Sequence, residues 1–141
     1  MSHCLFCQII EGDVPAAIIY EDETVLAFLD ISQTTPGHTL LIPKKHHDNL
    51  LTMSPQEVGQ LSSYIPILSH HLLSRLGASG INVLSNLNEA AGQVVFHAHI
   101  HLIPRFDSHD LFHIQMTNTH PNAQRLSQLT KQLSLKGGNH E

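Results

Sequence analysis

Seven residues, His97-Ala98-His99-Ile100-His101-Leu102-Ile103, constrain this chain more than any other stretch. Polar and apolar residues alternate from His97 to Leu102, which is the period of a β-strand and not of a helix. In a strand, successive side chains point to opposite faces. His97, His99 and His101 therefore share one face, and Ala98, Ile100 and Leu102 face a core. Neighbouring imidazoles in such a row lie about 6.5–7 Å apart, twice the strand rise. The strand is expected over Val94–Ile103, closed by Pro104.

The rest of the chain supplies what that strand must pair with and pack against. Apolar Leu5, Phe6, Ile9 and Ile10 predict a short helix over Cys4–Glu11, stopped by Gly12. Ile18–Tyr20 and Val25–Asp30 read as a hairpin across the acidic turn Glu21-Asp22-Glu23, and His38–Pro43 as a third strand. Ser54-Pro55-Gln56-Glu57 is a strong helix start, with a capping serine, proline in the first turn and glutamate at the third position. Val58, Leu61, Ile65, Leu68, Leu72 and Leu76 continue at helical spacing to Gly77, and Pro66 predicts a kink or break within them. Ile81–Ser85 is the next strand, Asn86–Gly92 a polar loop, and Ala123–Leu135 a modest terminal helix. The expected architecture is α+β, a mostly antiparallel sheet of about five strands with one long helix and a short N-terminal one.

Composition narrows the function classes. The 141 residues suit one domain with one substantial core. A net charge of −5 leaves no basic field for a nucleic acid, and the 5% aromatic content offers no base-stacking platform. No stretch approaches the roughly 20 apolar residues of a membrane span, and the N-terminus lacks a signal-peptide pattern. Two cysteines three positions apart cannot usefully staple a fold, so a reduced, cytoplasmic protein is expected.

A row of three imidazoles has a definite chemistry. Neutral imidazole is a good nucleophile near neutral pH, and attack on phosphorus gives a reactive phosphoimidazole. His99, in the middle, can attack if its other ring nitrogen donates to a fixed acceptor that sets the tautomer. A flanking histidine can stabilise phosphoryl charge or protonate a leaving group. The plainer alternative is three surface histidines on an edge strand. A metal site is another, although residues at i, i+2 and i+4 of one strand converge poorly on one ion.

HAHIHLI is also the full His-φ-His-φ-His-φ-φ signature of the histidine triad (HIT) family, φ being apolar. The segments LFCQIIEGDVPA, VLAFLDIS, PGHTLLIPKKH and AGQVVFHAHIHLIPR follow in family order, so the chain resembles that family from Cys4 to Phe106. The resemblance implies a HIT-like fold over residues 1–106, with 107–141 a C-terminal tail of the same domain that carries a short helix. It implies a nucleotide hydrolase or transferase acting at the α-phosphate of purine nucleotides through a nucleotidyl-histidine. His99 would be the nucleophile, His101 would help with phosphate and leaving group, and His38 would order the site. Asn86 and Gln93 would hold phosphate oxygens and Asp30 the ribose hydroxyls. Phe6, Ile9, Phe28, Leu29 and Ile31 would line the base and sugar pocket. Relatives commonly carry Ser or Thr after the glutamine, where this chain has Val94.

Cys4-x-x-Cys7 has the spacing of half a zinc site, with free thiols as the alternative and a thioredoxin-like redox pair a weaker one. In relatives that keep the pair, the set is completed by positions matching His46 and His97, which implies a closed structural zinc and takes His97 out of direct catalysis. No catalytic metal is expected. His47, His70, His71, His109, His113, His120 and His140 match no family role and are expected at the surface. The resemblance further implies a homodimer acting on either phosphoramidates or dinucleoside polyphosphates, with no nucleic-acid or membrane partner. The alternative is a zinc-stabilised nucleotide-binding module with little turnover and a protein-interaction role, to which Val94 lends weight.

Overall fold

A computed structural model describes residues 3–137; His140, expected at the surface, lies outside the described residues. Five strands, β1 (Ile18–Glu21), β2 (Val25–Leu29), β3 (Thr39–Pro43), β4 (Gly80–Leu84) and β5 (Ile100–Arg105), form one antiparallel sheet in the order β1-β2-β3-β5-β4. Helix α1 (Leu5–Ile10) covers one face, and α2 (Pro55–Ser62) and α3 (Tyr64–Leu76) cover the other. Strands β2 and β3 are buried on both sides, so their apolar residues run nearly unbroken. Val25, Ala27 and Leu41 join Leu61, Leu68, Leu72, Ile100 and Leu102 beneath the two helices. Leu26, Phe28, Leu40 and Ile42 join Phe6 and Ile9 beneath α1. Among the described residues no helix is long and apolar enough to cross a membrane.

The helical stretch after Ser54 is broken, the outcome Pro66 predicts, into α2 and α3, which meet at Ser63, three residues ahead of the proline. Pro66 has no N–H to donate back to Ser62, so the break falls one turn before the proline. The strand expected from Val94 begins only at Ile100. Its ladder with β3 ends at the Leu41–Ile100 pair and that with β4 at Leu84–His101. Pro43, with no N–H, cannot extend the first ladder, and its carbonyl instead accepts from the His97 ring at 2.8 Å. Residues 93–99 therefore run as a bent segment. Of the three histidines only His101 lies in a strand, yet the alternation persists, since Ala98, Ile100 and Leu102 enter the helix-side core.

The capping box at Ser54 is complete, the serine hydroxyl accepting from Glu57 N–H and the Glu57 carboxylate from Ser54 N–H. Helix α4 (Ala123–Leu133) is exposed along nearly its whole length. The tail begins under Arg105, which donates to Asn82, Asp110 and the Phe112 carbonyl and stacks over the Phe112 ring.

Candidate active site

Two adjoining cavities open on the α1 side of the sheet. The first, about 250 Å³, is lined by Leu5, Phe6, Ile9, Pro15, Ala16, Phe28, Leu29, Asp30, Ile31, Leu40 and Val95. It gathers all five apolar residues singled out for a base and sugar pocket, with Ile31 fully exposed at its rim. The second, about 230 Å³, shares Phe6, Asp30, Leu40 and Val95 with the first and adds Asn86, Gly92, Val94, His99 and His101. A separate cavity of about 240 Å³ lies beside Lys44, Lys45, His47 and Glu57 and contains none of the triad. Its lysines are paired, Lys44 with Glu21 at 2.7 Å and Lys45 with Glu57 at 3.2 Å.

Each histidine of the row has its tautomer set by the partner of one ring nitrogen. His99 Nδ1 donates to the His97 carbonyl at 2.7 Å, which leaves the Nε2 lone pair for the cavity. His101 Nδ1 lies 2.9 Å from His38 Nε2. His38 Nδ1 is buried with no partner, a position tolerable for an acceptor and costly for a donor, so His38 Nε2 donates. His101 then carries its proton on Nε2. The rings of His99 and His101 stand 5.1 Å apart, one with a free lone pair and its neighbour with an N–H.

Burial disfavours the charged forms of His101 and His38. Burial, reinforced by His99 and His38, lowers His101 to about 4. Burial likewise lowers His38, against the pull of Asp30, whose Oδ2 is 3.8 Å away. Burial works to raise Asp30, but bonds from the Ser32 hydroxyl and N–H, helped by His38 and His101, hold it below its ordinary value. Those Ser32 bonds occupy Oδ1 and leave Oδ2 beside His38, and Asp30 lines both cavities.

His97 stands apart. Its Nε2 donates to the Pro43 carbonyl, so Nδ1 presents a lone pair 3.4 Å from Cys4 Sγ, 3.5 Å from Cys7 Sγ and 3.2 Å from His46 Nδ1. The four donor atoms lie within 4.8 Å of one another. Two sulfurs, two imidazoles and a second ring nitrogen pinned to a carbonyl are the donor chemistry of a structural zinc site. Phe6, between the two cysteines in sequence, sits edge-on to both His97 and His99, with centroids 5.9 and 5.3 Å away.

Gln93 is placed differently from expectation. Its side chain is 4% exposed, and its amide donates to the Asp48 and Val95 carbonyls at 2.6 and 3.0 Å. Its Oε1 accepts from Asn49 Nδ2 and Asn88 N–H at 3.0 and 2.8 Å. With every polar atom engaged, the side chain has nothing left for a phosphate. Sequence reasoning missed Asn49 altogether, and it left His47 without a role. The His47 carbonyl accepts from Ala98 N–H at 2.7 Å, and its ring meets Glu57 at 3.0 Å.

A family model described as the HIT domain matches residues 11–108. "Protein hit" of Bacillus subtilis is 47% identical over 110 residues, 78% of this chain and 76% of its own. Adenylylsulfatase HINT3 of Arabidopsis thaliana is 42% identical over 102 residues, 72% of this chain and 52% of its own. A crystal structure from Streptococcus mutans superposes with a TM-score of 0.90 at 48% identity, covering 94% of this chain and 84% of that one. A HIT family member from Bacillus subtilis gives 0.85 at 38% identity, covering 96% and 100%. The chain belongs to the HIT family.

Proposed function

We propose that this protein hydrolyses or transfers nucleoside phosphates, with His99 Nε2 attacking the α-phosphorus and a nucleotidyl-histidine as intermediate. The observation that carries the reading is the pairing of tautomers, a lone pair on His99 beside an N–H on His101, both lining the smaller cavity. The larger, apolar cavity takes the base and ribose, with Asp30 accepting from the ribose hydroxyls. The smaller takes the phosphate, held by His101, Asn86 and backbone N–H groups near Gly92 and Val94. As the bond from His99 Nε2 to phosphorus forms, the bond to the leaving group breaks, and His101 Nε2–H supplies the proton that group takes away. Water then attacks the phosphoimidazole and releases the nucleoside monophosphate, or another acceptor takes the nucleotidyl group, and either way His99 is regenerated. His38 orders His101 from behind. The apolar pocket encloses a base without reading its edge, so purine preference comes from the family.

Cys4, Cys7, His46 and His97 hold zinc in this reading, and the metal would tie α1 to the triad segment without touching substrate. The substrate is a phosphoramidate, a dinucleoside polyphosphate or, by likeness to the Arabidopsis enzyme named as an adenylylsulfatase, an adenylyl sulfate. The working form is a cytoplasmic homodimer.

A second reading, a nucleotide-binding module with little turnover, is favoured by Val94, which is 85% exposed at the phosphate cavity and lacks a hydroxyl. Incubation with adenosine 5′-phosphoramidate, diadenosine polyphosphates and adenylyl sulfate, with and without chelator, separates the two. AMP release by the wild type that falls by at least about 10³-fold in His99→Ala is expected, the scale of losing a nucleophile. Chelation is expected to spare the rate wherever the fold survives. Tight AMP binding without release would favour the module.

A further inference from the structure

Beyond β3 the chain turns along the triad segment, and four consecutive residues are each linked to it or to the loop before it. His46 meets His97 in the Cys–His cluster. The His47 carbonyl accepts from Ala98 N–H, and the Asp48 carbonyl from Gln93 Nε2. Asn49, 3% exposed, donates from Nδ2 to Gln93 Oε1 and Asn88 Oδ1, both at 3.0 Å, while its own Oδ1 accepts from Leu51 N–H.

Asn88 is the unusual member. Its backbone sits at φ 75°, ψ 164°, a region almost reserved for glycine. Such a conformation in another residue persists only where the surroundings over-determine it. Here Gln93 Oε1 takes the Asn88 N–H, Asn49 takes its side-chain oxygen, and its carbonyl accepts from Ala91 and Gln93 N–H. The loop so held presents Asn86 and Gly92 to the cavity shared with His99 and His101.

We propose that Asn49 is a positioning residue for phosphate binding, acting through Gln93 and Asn88 to fix the loop over 86–92 against the triad. The proposal rests on the nucleotide reading above. In it neither Asn49 nor the Gln93 side chain touches phosphate; both act by holding a strained loop in its binding shape.

The test is calorimetric titration of AMP and of adenosine into the full chain, as wild type, Asn49→Ala, Gln93→Ala, the double variant, and Asn49→Ala combined with Asn88→Gly. Each single change is expected to weaken AMP roughly tenfold, the scale of losing one or two buried hydrogen bonds. Adenosine affinity should stay within about twofold. The double variant should be no worse than either single, because both remove the same clamp. Glycine at 88 adopts this backbone unaided and should restore most of the lost AMP affinity. Parallel loss of AMP and adenosine would make Asn49 a general packing residue and overturn the proposal. Losses that multiply, an unchanged AMP affinity, or no rescue by glycine would do the same. If Asn49→Ala does not fold, Gln93→Ala with and without Asn88→Gly decides by rescue alone. A wild type that binds AMP no tighter than adenosine would instead remove the phosphate site, and this proposal with it.

Discussion

His101 lies between His38 and His99, and burial there, with those two neighbours, holds its pKa at about 4. In the unfolded chain it would titrate near 6.5. Between those values the unfolded state binds a proton that the folded state refuses. The stabilisation from this group is therefore complete above about pH 6.5 and is lost as pH falls toward 4. Thermal midpoints measured from pH 7 to pH 4 should fall, and His101→Gln should flatten that slope by on the order of 1 kcal/mol once solvent screening is allowed for. The triad histidines could be read from the sequence because alternation and residue chemistry are both local. The bond from His99 to the His97 carbonyl was foreseeable only as a requirement, and its acceptor had to come from the fold. Asn49 and Gln93 were harder still. An asparagine or glutamine in a polar stretch gives no periodic signal, and what these two do depends on carbonyls and amides up to 45 residues away.

Elements were most legible where the cause lies within a few residues. The Ser54 capping box is an example, since hydroxyl, carboxylate and Pro55 are all contained in four positions. Ser54→Ala should cost about 1 kcal/mol in a denaturant melt, with the loss confined to stability because α2 stands on the sheet face away from the two cavities beside α1. The break between α2 and α3 was legible in kind from Pro66, and its displacement to Ser63 follows from which N–H the proline lacks. The extent of β5 was not legible. An alternating pattern reports which face each side chain takes, whereas strand assignment also needs a continuing ladder, and N-terminal to Ile100 neither ladder continues. The bent stretch keeps the alternation of faces and frees its backbone for side-chain acceptors and the residues after β3.

On the scale of the whole molecule, contacts far apart in sequence make the site. Cys4 and His97 are 93 positions apart, and their closeness pins the helix that supplies Phe6 and Ile9 to the segment that supplies His99. The five-stranded antiparallel sheet and its short first helix followed from pattern and from family likeness together. The tail's helix was legible as a pattern over Ala123–Leu135 and is observed over Ala123–Leu133, whereas the tail's anchoring was not legible, because it rests on one arginine at the end of β5. The two cavities also have an unusual balance of formal charge. Among the described residues that line them, Asp30 is the single carboxylate, and no lysine or arginine is present. A phosphate seated there is held by short-range dipoles and not by a long-range field, so mobile ions have little to screen. AMP affinity should accordingly change by less than about threefold between 50 and 500 mM salt, against the steep loss typical of lysine-rich phosphate sites. Titrations across that range would check it, and a protein built this way would keep its grip on nucleotide through large swings in ionic strength.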